Sequence, residues 1–151
     1  MRFLISIFLL TVSLDVEAQT AEDSVKQTVN SLFTAMKTSD GNLLRTVFAD
    51  SAVLQTIALD RSTGLPSIRN QEVSSFVKQV GLMKAGDADE RITFEMIKID
   101  ADLASVWTPY QFYYKGKFSH CGVNSFQLVR LQGIWKIQYL VDTRRKTGCI
   151  E

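Results

Sequence analysis

The sequence predicts an α+β domain in which three helices, all in the first half of the chain, pack on one face of a curved antiparallel sheet. Three observations carry this. Apolar residues at helical spacing are confined to the first eighty or so positions. Three long alternating runs follow one another between Ala104 and Val141. Those runs are separated by Lys115-Gly116 and Gln132-Gly133, which read as tight hairpin turns.

Val25, Val29, Leu32, Phe33 and Met36 share one stripe of a helix, and Thr20 with Asp23 forms a variant of the capping box, so the helix starts near residue 21. Ser39-Asp40-Gly41 interrupts it, and Asp40 caps a short second helix carrying Leu43, Leu44, Val47 and Phe48. Ala52 to Ile57 and Leu65 to Ile68 form a small hairpin around the turn-rich Asp60 to Gly64. Asn70 then caps a third helix with Val73, Phe76, Val77 and Val80 on one face, ended by a left-handed Gly81. Lys84 to Asp89 reads as a loop, and Ile92, Phe94 and Met96 as alternate residues of a strand.

After a turn at Asp100-Ala101-Asp102, alternation places Ala104, Val106, Thr108, Tyr110, Phe112 and Tyr114 on one strand face and Trp107, Gln111 and Tyr113 on the other. Phe118, His120, Gly122, Asn124, Phe126 and Leu128 share a face of the next strand, and Trp135, Ile137, Tyr139 and Val141 a face of the last. If Phe126, Leu128, Trp135 and Ile137 cover a core, His120 and Asn124 point to the same side where the apolar filling runs out. A polar-lined cavity at one end of the core follows.

The 151 residues, 46% hydrophobic and 22% charged, suit one globular domain. With 17 basic and 16 acidic residues there is no broad basic field, which argues against nucleic acid and anionic membrane surfaces as partners. Met1-Arg2, the apolar run Phe3 to Leu14 and the small-x-small site Val16-Glu17-Ala18 have the layout of a secretory signal cleaved after Ala18. The run is too short for a membrane span, which needs roughly 20 residues. The expected organisation is a signal peptide over 1–18, one domain over 19–145 and a tail over 146–151, in a secreted or periplasmic protein without a membrane anchor.

The element order, the stretch Phe48-Ala49-Asp50-Ser51-Ala52, the block Gly116 to Asn124 and the ending from Trp135-Lys136-Ile137 to Asp142-Thr143-Arg144-Arg145 resemble the nuclear transport factor two-like superfamily. Within it the chain is similar to small secreted bacterial proteins of lumazine-binding-like or polyketide-cyclase-like type. The resemblance implies a cone-shaped, barrel-like domain whose bent sheet wraps the first helix and leaves a cavity at the wide end. It also implies activities ranging from isomerases, cyclases and dehydratases to modules that catalyse nothing.

The expected ligand-binding residues are Tyr110, Phe112, Tyr114, His120, Asn124 and Asp142. His120, the only imidazole, titrates near neutrality and suits proton transfer, and equally suits a hydrogen-bonded structural role. Tyr110 and Tyr114 can donate to a ligand carbonyl or belong to the core. Asn124 offers a donor and an acceptor or braces the sheet. Strict alternation places Asp142 opposite Trp135 and Ile137, paired at the surface with Arg144 or Arg145, unless a bulge turns it inward. A Ser119, His120 and Asp142 triad is set aside because neighbouring strand residues project to opposite faces. No metal cluster or phosphate-cradling loop is present, so no metal or cofactor is implied.

These residues support a secreted domain that binds a small apolar or aromatic molecule, or alternatively a cofactor-free isomerase, cyclase or dehydratase-like enzyme using His120. The resemblance, with Trp107, Gln111 and Tyr113 left uncovered, points to a homodimer through the outer sheet face. Cys121 and Cys149 can bridge in an oxidising compartment, stapling the tail to the outer face for roughly 3 kcal/mol, or Cys121 can be a small buried thiol beside a disordered tail.

Overall fold

The computed structural model describes residues 20–149, so the segment expected to be a signal peptide lies outside the described residues. The first helix, α1 (Ala21–Thr38), begins where the Thr20 hydroxyl accepts the Asp23 amide at 3.1 Å. It ends at Ser39, whose left-handed φ of 59° brings its amide back to the last-turn carbonyls. Asp40 Oδ1 accepts the Leu43 amide at 2.9 Å and starts α2 (Gly41–Val47).

β1 (Phe48–Leu59) and β2 (Pro66–Gln71) form the small hairpin, longer than the sequence suggests. Pairing as far as Leu54 with Gln71 keeps Asn70 extended, and its Oδ1 accepts from Gln55 Nε2 at 2.8 Å. Asn70 therefore does not cap the third helix. α3 (Val73–Gly81) follows Glu72, which makes no side-chain cap, and it runs out through a right-handed Leu82 rather than a left-handed Gly81.

The strand expected over Ile92, Phe94 and Met96 is two strands, β3 (Ala88–Ile92) and β4 (Met96–Asp100), both paired to β5 (Leu103–Tyr114). Pro109 on β5 has no amide to give, and the three residues 93–95 bulge opposite it, tied by Thr93 N to Pro109 O and Glu95 N to Trp107 O. β6 (Lys117–Leu131) and β7 (Ile134–Thr143) complete the meander. Both predicted turns have two successive positive φ values, 52° and 74° at Lys115-Gly116 and 51° and 83° at Gln132-Gly133, the geometry of a two-residue hairpin.

The sheet runs β2-β1-β7-β6-β5-β3, with β4 beside β5, and is curved and open rather than closed into a barrel. It is mixed, not wholly antiparallel. β1 runs parallel to β7, because the five strands and one helix between them give the chain room to return in the same direction. α1 lies in the concavity, where Phe33 meets Phe126 edge to face at 6.2 Å and Leu32, Leu44, Phe126, Leu128 and Ile137 are fully buried.

Two bulges re-aim side chains that strict alternation misplaces. In β6 the pairing steps from Phe112 with His120 to Tyr113 with Phe118, so Ser119 is an extra residue. Phe118 thereby turns to the outer face beside Tyr113, at 5.9 Å between rings, and does not share His120's face. In β7 the pairing steps from Leu128 with Ile137 to Gln127 with Tyr139, so Gln138 is extra. Beyond it Leu140 and Asp142, not Tyr139 and Val141, face inward with Phe126 and Asn124.

Candidate functional site

The inward face of β5, β6 and β7, together with α1 and α3, encloses a cavity of about 280 Å³. Leu32, Phe33 and Met36 of α1, Phe76 and Val80 of α3, and Leu140 make it largely apolar. Its polar wall is formed where the apolar filling of the strands ends, by Glu90, His120, Asn124, Asp142 and Arg144, and Gln55, Thr56, Gln71 and Gln79 add neutral polar groups on the β1, β2 and α3 side. Of the residues expected from sequence, Phe112, Tyr114, His120, Asn124 and Asp142 line this space. A more open hollow of about 550 Å³ lies over the break between β3 and β4, and Tyr110 lines that one instead.

Asp142 is the hub of the polar wall. It is buried and accepts from Thr56 at 2.5 Å, from the Tyr110 hydroxyl at 3.2 Å and from Arg144 Nε at 2.8 Å. It reaches this position only because the Gln138 bulge reverses the face of β7. Gln138 is itself held, with its Nε2 donating to Ser51 O at 3.0 Å. The expected pairing with Arg144 is present, but it takes place at the cavity wall. Burial pulls the Arg144 guanidinium down, and the hydrogen bond and charge of Asp142 outweigh it, so the net shift is upward.

Tyr110 also donates to the Thr143 carbonyl at 2.9 Å, and burial, then the charges of Asp142 and Glu90, push its phenol far above the ordinary range. It is a neutral donor that fixes Asp142 from behind. His120 packs on Phe112 at 5.0 Å and edge-on to Tyr110 at 5.8 Å. Burial first, and then the positive charge of Arg144, hold its pKa below the usual value, so the ring is neutral at neutral pH. Its Nδ1 lies 3.0 Å from the Ser119 hydroxyl, a contact that regular alternation forbids and the β6 bulge creates. Among the described residues no carboxylate is hydrogen-bonded to the ring, so Ser119 and His120 lack the third member of a nucleophilic triad.

Glu90 is the wall residue that sequence reasoning missed. Asn124 Nδ2 donates to its Oε1 at 2.8 Å. Burial is the main reason its pKa rises to about 7; the Asn124 hydrogen bond opposes the rise and the nearby Asp142 adds to it. A signal existed: Ala88, Glu90 and Ile92 alternate, and carrying the strand back from Ile92 would have put Glu90 on the core side. Among the described residues no three His, Cys, Asp or Glu side chains group as a metal site.

Cys121 and Cys149 form a disulfide. Cys121 is buried on the strand face opposite His120, and its amide and carbonyl pair with Arg145 at 2.9 Å each way, so the tail is laid back on the outer side of β6.

No family model matches the sequence, and no curated protein matches it. Solved structures do. An NTF2-like protein of unknown function from Shewanella baltica aligns over 83% of this chain and 94% of its own at 11% identity, with a TM-score of 0.64. Another from Methylobacillus flagellatus aligns over 88% and 99% at 16% identity, with a TM-score of 0.62. A protein of unknown function with a cystatin-like fold from Nostoc punctiforme aligns over 85% and 95% at 13% identity, with a TM-score of 0.65. Helices held in the concavity of an open, bent sheet, aligned over nearly the whole length of these neighbours, show that the chain has the nuclear transport factor two-like fold.

Proposed function

We propose that the protein is a secreted or periplasmic domain that holds a small, mostly apolar or aromatic molecule in the cavity between α1, α3 and the concave sheet. The carrying observation is a cavity with an apolar body and a wall where charged and polar side chains converge, the arrangement by which binding sites gain affinity from one part and orientation from the other. At about 280 Å³ the space suits a compact ligand of one ring or a short branched chain. No helix of the described residues is long and apolar enough to cross a membrane, and the Cys121–Cys149 disulfide suits an oxidising compartment, which supports export. Thermal shift against a panel of small aromatic and isoprenoid compounds tests the reading: a stabilising compound whose effect is lost in Val80→Trp supports it, and unchanged stabilisation in that variant removes it.

A cofactor-free isomerase, cyclase or dehydratase-like enzyme is the second reading. Its support is the neutral His120 ring facing the cavity, a state that accepts a proton. Against it, the Tyr110 hydroxyl is engaged by Thr143 and Asp142 and is not free to hold an oxyanion.

The domain is further proposed to pair as a homodimer through its outer sheet face. Arg91 stacks over Tyr113 at 4.1 Å and Phe118 covers its edge, which leaves Trp107, Met96, Leu103 and Phe118 itself as exposed apolar surface on this face.

A further inference from the structure

The charges on the cavity wall are unequally matched. Asp142 has Arg144 as its counter-ion, and Thr56 and Tyr110 supply its other donors. Arg144 has its charge matched by Asp142 through Nε, and its Nη2 donates to Thr56 at 3.2 Å. Glu90 has only a neutral donor, the Asn124 amide on Oε1, and Oε2 has no hydrogen-bond partner among the described residues. The groups facing it are Asn124 and His120 of β6, Tyr110 of β5, and Asp142 and Arg144 at the end of β7. α1 and α3 present Leu32, Phe33, Met36, Phe76, Val80 and the neutral Gln79 to the cavity, and among the described residues no lysine lines it.

The wall thus has one carboxyl group more than it has cations. A ligand carboxylate would meet Glu90 and Asp142 with only an already paired guanidinium to receive it. A protonated amine would complete the set, and the rings of Phe33, Phe76, Phe112 and Tyr114 around the cavity suit the substituents of a cation. We infer that the ligand carries a basic nitrogen, a primary or secondary amine on a small apolar or aromatic body, and that Glu90 is its counter-ion. This rests on the cavity being a binding site. Binding the ammonium form requires Glu90 to release a proton, so affinity rises with pH across its titration near 7.

The test is calorimetric titration of the oxidised protein with three probes of one shape: benzylamine, benzyl alcohol and benzoate. Benzylamine should bind at least tenfold tighter than either other probe. Its affinity at pH 6 should be about tenfold weaker than at pH 8, the change in ionised Glu90 across a pKa of about 7. Protons should be released in proportion, read from buffers of different ionisation enthalpy. Glu90→Gln should abolish the pH dependence and the preference for benzylamine over benzyl alcohol, while a cooperative melting transition and a wild-type circular dichroism spectrum show that the variant is folded. Preferential binding of benzoate or benzyl alcohol to the wild type overturns the amine assignment while leaving the cavity a binding site. Binding of none of the three overturns both.

Discussion

A Cβ placed on Gly122 would stand 1.8 Å from the carbonyl oxygen of Thr143. Gly122 is not among the positive-φ residues, so the constraint is space and not backbone conformation. The same close approach lets Tyr110, directly across from Gly122, reach the Thr143 carbonyl and Asp142. Gly122→Ala must separate β6 from the end of β7, and it should cost at least about 3 kcal/mol in urea denaturation, the upper range for overpacking. A loss below about 1 kcal/mol would show that the two backbones are not this close.

Glu90 makes stability depend on pH with a definite sign. Its carboxyl titrates near 7 folded, against an ordinary 4.5. Between those values the folded state holds a proton that the unfolded chain releases, so this group lowers stability as pH rises through that window and contributes no further change above it. The shift corresponds to at most about 3 kcal/mol, less with water in the cavity. Glu90→Gln should therefore match the wild type near pH 4.5 and exceed it by about 1–3 kcal/mol at pH 8. Equal stability differences at both pH values would place the carboxyl in open solvent.

Turns and helix caps were legible because their chemistry is local: Thr20, Asp40, Lys115-Gly116 and Gln132-Gly133 act on their own neighbours. The inward face of β5 was legible for a similar reason, since its alternation is unbroken. What failed depended on a partner strand. Nothing at Gln138 or Ser119 announces an extra residue, because a bulge is defined by the count on the opposite strand. Each misplacement downstream follows from those two positions: Phe118, Tyr139, Val141, the Ser119–His120 contact and the face of Asp142. Asn70 failed differently, its capping propensity overridden by the β1–β2 ladder.

The disulfide closes a loop of 28 residues in sequence separation and ties the tail to β6. Cys149→Ser should lower stability by about 3 kcal/mol, equivalent to roughly 10 °C in melting temperature for a domain of this size. Reduction of the wild type should produce the same loss. Because the bridge lies on the face opposite His120, ligand affinity at low temperature should stay within about threefold of wild type. A selective loss of ligand binding would mean that the tail shapes the cavity.

Dimerisation through the outer face predicts a molecular weight by light scattering of twice the chain at micromolar concentration, reverting to one chain in Trp107→Lys. A monomeric wild type with solvent-exposed Trp107 fluorescence contradicts it.

Occupation of the cavity by a small molecule, held against the polar wall, can be seen in a crystal. A crystal structure of the oxidised protein soaked with benzylamine at pH 8 tests it most directly. The predicted result is density between Phe33 and Phe112, with the nitrogen within hydrogen-bonding distance of Glu90 Oε2 and no displacement of the Tyr110–Asp142 contact. A cavity that stays filled only by water at saturating benzylamine and in parallel soaks with benzyl alcohol and benzoate, or a ligand bound solely in the hollow between β3 and β4, would contradict occupation of the cavity.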